Sequence, residues 1–153
     1  MRYVARVLQP GETTVYQTKV HWWIYSRAVF LIFIAIVLVV ISLNTQPELS
    51  LALKIGALLV ALIALPIWLR AFIRRATTEL AVTSRRVIHK EGLFRRNTFE
   101  MNLSQVESVG VYQSILGRIF GFGELSIFGS GAHRQAIPII SDPLTFRSHI
   151  TAA

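Results

Sequence analysis

The sequence predicts a transmembrane α-helical hairpin followed by a small α+β, mainly-β domain that ends in a capping helix. Three observations lead there: two long apolar stretches split by a seven-residue polar gap, short alternating runs broken by turn residues after position 76, and an Asp-Pro pair opening a last amphipathic segment.

The apolar stretches cover residues 22–43 and 51–73, and within them 28–41 and 55–69 hold no charged side chain. At about 1.5 Å rise per residue, some 20 helical residues span the roughly 30 Å hydrocarbon core of a bilayer. Composition agrees: 53% of the 153 residues are hydrophobic, and the mean hydropathy is +0.52. The expected plan is a leading segment (1–21), a first spanning helix (22–43), an external loop (44–50), a second spanning helix (51–73) and a domain over 76–153.

Charge sets the orientation. Arg2, Arg6, Lys19 and Arg27 precede or open the first helix, and Arg70, Arg74 and Arg75 close the second. The loop carries no Lys or Arg, so the positive-inside rule puts both termini in the cytoplasm. Trp22, Trp23, Tyr25 and Trp68 would form an aromatic belt at that inner interface. Arg27 and Lys54 lie near helix ends, where they can snorkel to the headgroups. The first stretch starts too far from the N-terminus, and lacks the small-residue cleavage site, for a signal peptide. Pro66 removes one backbone donor and is expected to bend the second helix. No ionisable or amide side chain lies at either helix centre, so nothing suggests an ion pathway. Gly56, Ala57, Ala61 and Ala64 offer small residues for close packing, on the partner helix or on a second subunit.

Beyond residue 76 the period becomes that of strands. Residues 78–83 (TELAVT), with Leu80 and Val82 on one face, and 86–90 (RVIHK) precede a tight Glu91-Gly92 hairpin into 93–101, where Leu93, Phe99 and Met101 share a face. Residues 103–113 form another strand, whose Gly110 suggests a bulge or close packing. Residues 114–120 (SILGRIF) read as a short helical turn, and 124–128 and 135–140 as two further strands. Asp142 is placed to cap a helix with Pro143 at its first position, and Leu144, Phe146 and Ile150 supply its apolar face.

The run TELAVTSRRVIHKEGLF (78–94), then LSQVESVGVYQSILGRIFGFGELSI (103–127), resembles the membrane-anchored bacterial pleckstrin-homology-domain family. The helix pair and the leading PGETTVYQTKVHWW (10–23) match its layout, and QSILGRIFGFGEL (113–125) is the most specific piece. The resemblance implies a pleckstrin-homology-like split barrel capped by a helix, a bacterial inner-membrane location and no enzymatic activity. Such a barrel has seven strands, whereas about six follow the hairpin. Either two are merged within 93–113, or 13–19 (TTVYQTK) returns to complete the sheet.

Eight of the sixteen basic residues lie between Arg70 and Arg96. Arg70, Arg74, Arg75, Arg85, Arg86, Arg95 and Arg96 are the candidate contacts for anionic lipid headgroups, each juxtamembrane cation adding about 1 kcal/mol. The other reading of the cluster is a topology signal with a solvated edge. Nucleic acid is not expected, because the charge gathers beside an apolar span. With no cysteine, disulfides and thiolate sites are excluded. His21, His89, His133 and His149 have no metal-ligand spacing, and the eight acids show no acid–base pair. No cofactor is expected. The reading that results is a non-enzymatic membrane scaffold or adaptor that binds a protein partner or a second copy of itself. The alternative is an anionic-lipid sensor, with a transport or channel subunit behind both.

Overall fold

The computed structural model describes residues 3–93, 97–130 and 133–152. Two compact units divide the chain: Met1–Trp23 with Arg74–Ala153, and Ile24–Ile73.

The helical unit is built from α2 (Ser26–Leu43), which follows a 3-10 turn at Trp22–Tyr25, and from most of α3 (Pro47–Thr77). Small residues recur every seven positions as the buried stripe of each helix: Ala28, Ala35 and Ser42 on α2; Ser50, Ala57, Ala64 and Ala71 on α3. A seven-residue repeat keeps one narrow seam facing a partner, and small side chains let the backbones approach. Ala61, expected in that seam, is exposed instead. Nearly all the large apolar side chains, such as Phe30, Phe33, Leu62 and Leu65, point outward. Only 11% of the most apolar window of the first helix is buried, and 17% of that of the second. By length and composition both can cross a membrane. At one end Tyr25 of the 3-10 turn meets Trp68 of α3, their ring centres 6.4 Å apart, and Trp68 stacks on Phe72 at 5.5 Å.

The other unit holds two antiparallel sheets. β1 (Thr14–Thr18), β2 (Glu79–Thr83), β3 (Arg86–Glu91) and β4 (Asn97–Asn102) form one in that order. β5 (Val106–Tyr112), β6 (Phe122–Gly129) and β7 (His133–Ser141) form the other. Among the described residues, six strands follow the helix pair and one precedes it. β1 pairs with β2 through Thr18↔Leu80 and Gln17↔Ala81, so the leading segment completes the first sheet. A core of Leu80, Val82, Val87, Met101, Val109, Leu125, Ile127, Ile137 and Ile140 draws on both sheets, and Phe146 and Ile150 of α5 (Pro143–Thr151) close it.

Several local expectations change. β2 is buried on both faces, because α1 (Val4–Val7) lays Val4 over Ala81 and Ile88. Glu91 pairs with Asn97, so the chain does not turn tightly at Glu91-Gly92; residues 94–96 of the expected strand lie outside the described residues, and Leu93 is exposed. Gly110 marks no bulge; the β5 irregularity falls between Val106 and Ser108. Leu144 faces solvent, since α5 buries Pro143, Phe146 and Ile150 at i, i+3 and i+7 spacing. Asp142 holds the cap position in a left-handed conformation (φ 47°), and its side chain makes no capping bond. Instead its amide donates to the Gly121 carbonyl at 3.0 Å.

β7 also bulges, at Pro138-Ile139, where Ile139 takes φ 58°, a strained value for a β-branched residue. The bulge turns the Ile139 carbonyl to accept from the His21 amide at 2.8 Å, and Ser141 donates to Lys19 at 3.1 Å. Those bonds, with the Val20↔Ile140 bridge, clasp the chain just before the first apolar helix.

Candidate functional site

β2 separates the basic residues. Arg74 and Arg75 end α3 just before β2, and Arg85 and Arg86 follow its far end, about 13 Å of strand away. The near end is also where residue 23 leaves the domain and residue 74 re-enters it. Arg74 is exposed, with Glu91 4.0 Å away, a distance at which a solvated pair contributes little. Lys90 lies over the Tyr3 ring at 5.3 Å. Arg70, also exposed, belongs to the helical unit. Arg85 is exposed in the β2–β3 turn, and its carbonyl accepts from the Leu103 amide at 2.9 Å. Arg95 and Arg96 lie outside the described residues.

Arg86 turns inward. Its Nε and one terminal nitrogen fork onto Glu12 at 3.0 and 2.9 Å, the other terminal nitrogen meets Glu100 at 2.7 Å, and the Val7 carbonyl accepts at 2.8 Å. Glu12 has a fully buried side chain. It also accepts from the Thr83 hydroxyl at 2.6 Å and from the Gln9 amide at 2.8 Å. Burial raises the Glu12 carboxyl, but the Arg86, Gln9 and Thr83 hydrogen bonds outweigh it, and with the Arg86 charge they hold it at about 2 against an ordinary 4.5. Both Arg86 and Glu12 therefore stay charged and mutually satisfied. This pair ties the leading segment to the β2–β3 hairpin; it is a structural lock rather than a surface cation. Sequence inspection missed it because Glu12 and Arg86 are 74 residues apart and neither sits in a motif.

A second buried carboxylate, Glu79, accepts from the Tyr3 and Val4 amides at 3.1 and 3.2 Å, holding the start of α1 against β2. His89 is buried in β3, and burial pushes its imidazole below 6.5. Its Nδ1 lies 3.4 Å from the Gln135 amide. No group of acids and histidines able to hold a metal ion occurs among the described residues.

Aromatic and apolar side chains gather at that same end of the domain, where residue 23 leaves it. Ser114 caps α4 (Ile115–Phe120) by accepting from the Gly117 amide at 3.1 Å, and Gly121 ends it at φ 72°. Gly117 presses its backbone against the Phe122 carbonyl, leaving no room for a side chain. The opposite face, Ile115, Leu116, Ile119 and Phe120, is exposed, with Ile115 at 79% and Ile119 at 70%. Phe120 stacks on Trp23 at 5.0 Å and meets Trp22 edge-on at 5.9 Å. Phe122 carries Trp23 on one side and His21 on another, at 5.1 and 5.3 Å. Burial, then the Arg75 charge, lowers the His21 imidazole, with Asp142 and a hydrogen bond to the Phe120 backbone opposing. A shallow depression beside α4, about 340 Å³, is bordered by Gln113, Arg118, Asp142 and Leu144. It mixes one cation with one carboxylate and favours neither charge of ligand.

Two sheets of four and three antiparallel strands with a C-terminal helix across their core is the arrangement that the sequence resemblance implies, and a family model tests it. The model described as Bacterial PH domain matches residues 22–152. The chain belongs to that family. No curated protein and no solved structure matches it. PH domains are in general non-catalytic modules that bind lipids or proteins, and this PH domain is read in those terms.

Proposed function

We propose that the protein is a membrane-anchored, non-enzymatic scaffold at the cytoplasmic face of a bacterial inner membrane, its PH domain a split barrel that binds a protein partner or a second copy of the chain. One observation carries the reading. β1 and β2 flank the apolar helix pair in sequence and are hydrogen-bonded neighbours in one sheet. A chain that leaves a domain and returns to the adjacent strand must cross a bilayer an even number of times. Two crossings put both termini on one side, which agrees with the cations around the helix ends and their absence from 44–50. The outward apolar side chains of α2 and α3 have a solvent in acyl chains that water does not offer.

The partner surface follows from the strand edges. The end of β7 near Pro138 is taken by the Lys19–His21 segment. β4 and β5 each keep one edge outside any ladder among the described residues. An edge of this kind accepts an added strand by main-chain hydrogen bonding. A photo-crosslinking residue at Ser108, exposed in β5, tests this in native membranes. The reading expects one defined protein adduct, or a dimer of the chain. Adducts to lipid alone would remove it.

The lipid-sensing alternative draws on Arg70, Arg74 and Arg75, exposed near the helix ends, with Arg85 more distant and Arg86 committed to Glu12. If it holds, replacing Arg74 and Arg75 by Gln abolishes any preference of the reconstituted protein for binding a soluble anionic headgroup over a zwitterionic one. Replacing Arg85 leaves that preference intact.

A further inference from the structure

The membrane anchor accounts for the helix pair but leaves the outer face of α4 unexplained. Four large apolar side chains on a six-residue helix face outward, two of them more than two-thirds exposed. This is not a failed core position. The inner face of the same helix is packed so closely at Gly117 that a methyl group would collide with the Phe122 backbone, 2.6 Å away. The helix is therefore packed closely on one side and presents isoleucine, leucine and phenylalanine on the other.

We propose that α4 is a second membrane contact, a wedge whose Ile115, Leu116, Ile119 and Phe120 side chains enter the headgroup–acyl boundary of the inner leaflet. The proposal rests on the anchor reading above. Its support is continuity: Phe120 touches both Trp22 and Trp23. Trp22 is the first residue of the first candidate span. A side chain in ring contact with the residue at which the chain enters lipid lies at the level of the headgroups. Tryptophan prefers that level, and an interfacial helix buries its apolar face about 5–10 Å below it. Arg118, exposed on α4, is long enough to keep its charge among the phosphates while its stem lies flat. The wedge would fix the PH domain against the bilayer and turn its opposite pole, with Arg85 and the 3-10 turn Leu103–Gln105, toward the cytoplasm.

The chain has no cysteine, so single labels can be introduced into the full-length protein without background. An environment-sensitive fluorophore is placed at Ile119→Cys, at Ile115→Cys, at Ile36→Cys within α2, and at Ser104→Cys on the opposite pole. Each variant is reconstituted in vesicles containing lipids with nitroxides at shallow or deep acyl positions. All four sites are exposed, so the fold tolerates the label. The wedge predicts loss of emission at 115 and 119 with the shallow nitroxide, at 36 with the deep one, and none at 104. Quenching at 36, with 119 behaving like 104, overturns the wedge and leaves the anchor standing. No quenching at 36 either removes the anchor, and the wedge with it. A label at 119 shielded from both nitroxide lipid and aqueous iodide overturns the wedge in favour of a protein, or a second copy, covering α4.

Discussion

Glu12 and Arg86 share two hydrogen bonds, of 3.0 and 2.9 Å, across the edge of the first sheet, and the entire helix pair lies between them in sequence. The PH domain is thus closed around its own insertion. β1 contributes the backbone ladder, and this ion pair locks the segment that leads into it.

Removing one partner of the lock leaves the other charge buried. Glu12→Ala should lower the stability of the purified protein by about 3 kcal/mol, and Arg86→Ala by a similar amount. The double variant should lose clearly less than the two losses added together. Thermal unfolding of the four proteins in one detergent measures the coupling; strict additivity would mean that the two residues act separately.

Acid should lower the stability of the domain over two pH windows. His89 is pushed below 6.5 in the fold by burial, with Glu91 opposing and Arg74 assisting. The unfolded chain therefore binds its proton first, and stability falls as pH drops below 6.5. Glu12 is held at about 2 against 4.5, so its contribution is complete above 4.5 and is lost as pH falls from there toward 2. Midpoints of unfolding between pH 8 and 3 should decline in both windows. Glu12→Gln should remove the lower decline and keep the upper one.

Two glycines with the same appearance in the sequence should respond unequally to alanine. At Gly117 the added Cβ would meet the Phe122 carbonyl at 2.6 Å, and the backbone on both sides is fixed. A loss of about 1–3 kcal/mol is expected. At Gly110 the nearest atom is Phe128 Cε2, at an ordinary 3.7 Å, and the change should stay within about 0.5 kcal/mol. The two melting temperatures decide it.

A fragment of residues 76–153 should fail to fold alone, because it lacks β1, α1 and Glu12 and leaves an edge of β2 bare. Joining residue 23 to residue 74 by a short Gly-Ser linker keeps all seven strands. That protein should be soluble and show dispersed amide signals in NMR, while the fragment should not.

The parts of this architecture governed by local pattern were legible. Two uncharged apolar runs, alternating strands from 78 onward, the short helical turn within 114–120 and the Asp142-Pro143 helix start all come from short-range pattern. Membership of β1 in the sheet was open, because its partner lies across the helix pair and register carries no mark in sequence. The Glu12–Arg86 lock is hidden for the same reason, since in sequence Arg86 looks no different from the exposed Arg85 beside it. Leu144 looked like a core residue until the helix phase set by Phe146 and Ile150 turned it outward. The apolar run ILGRIF gave the helix at 115–120, but not that its greasy side would face away from the core.

The most direct test of the central claim is the side of the membrane on which each part of the chain lies. Single cysteines at Gln46, in the connection between α2 and α3, and at Ser104 can be probed in intact cells with a maleimide that cannot pass the inner membrane but reaches the periplasm. An insertion that crosses twice predicts labelling at 46 without permeabilisation, and labelling at 104 only after the inner membrane is opened. Equal labelling of both positions in intact cells, or of neither until the inner membrane is opened, would contradict it.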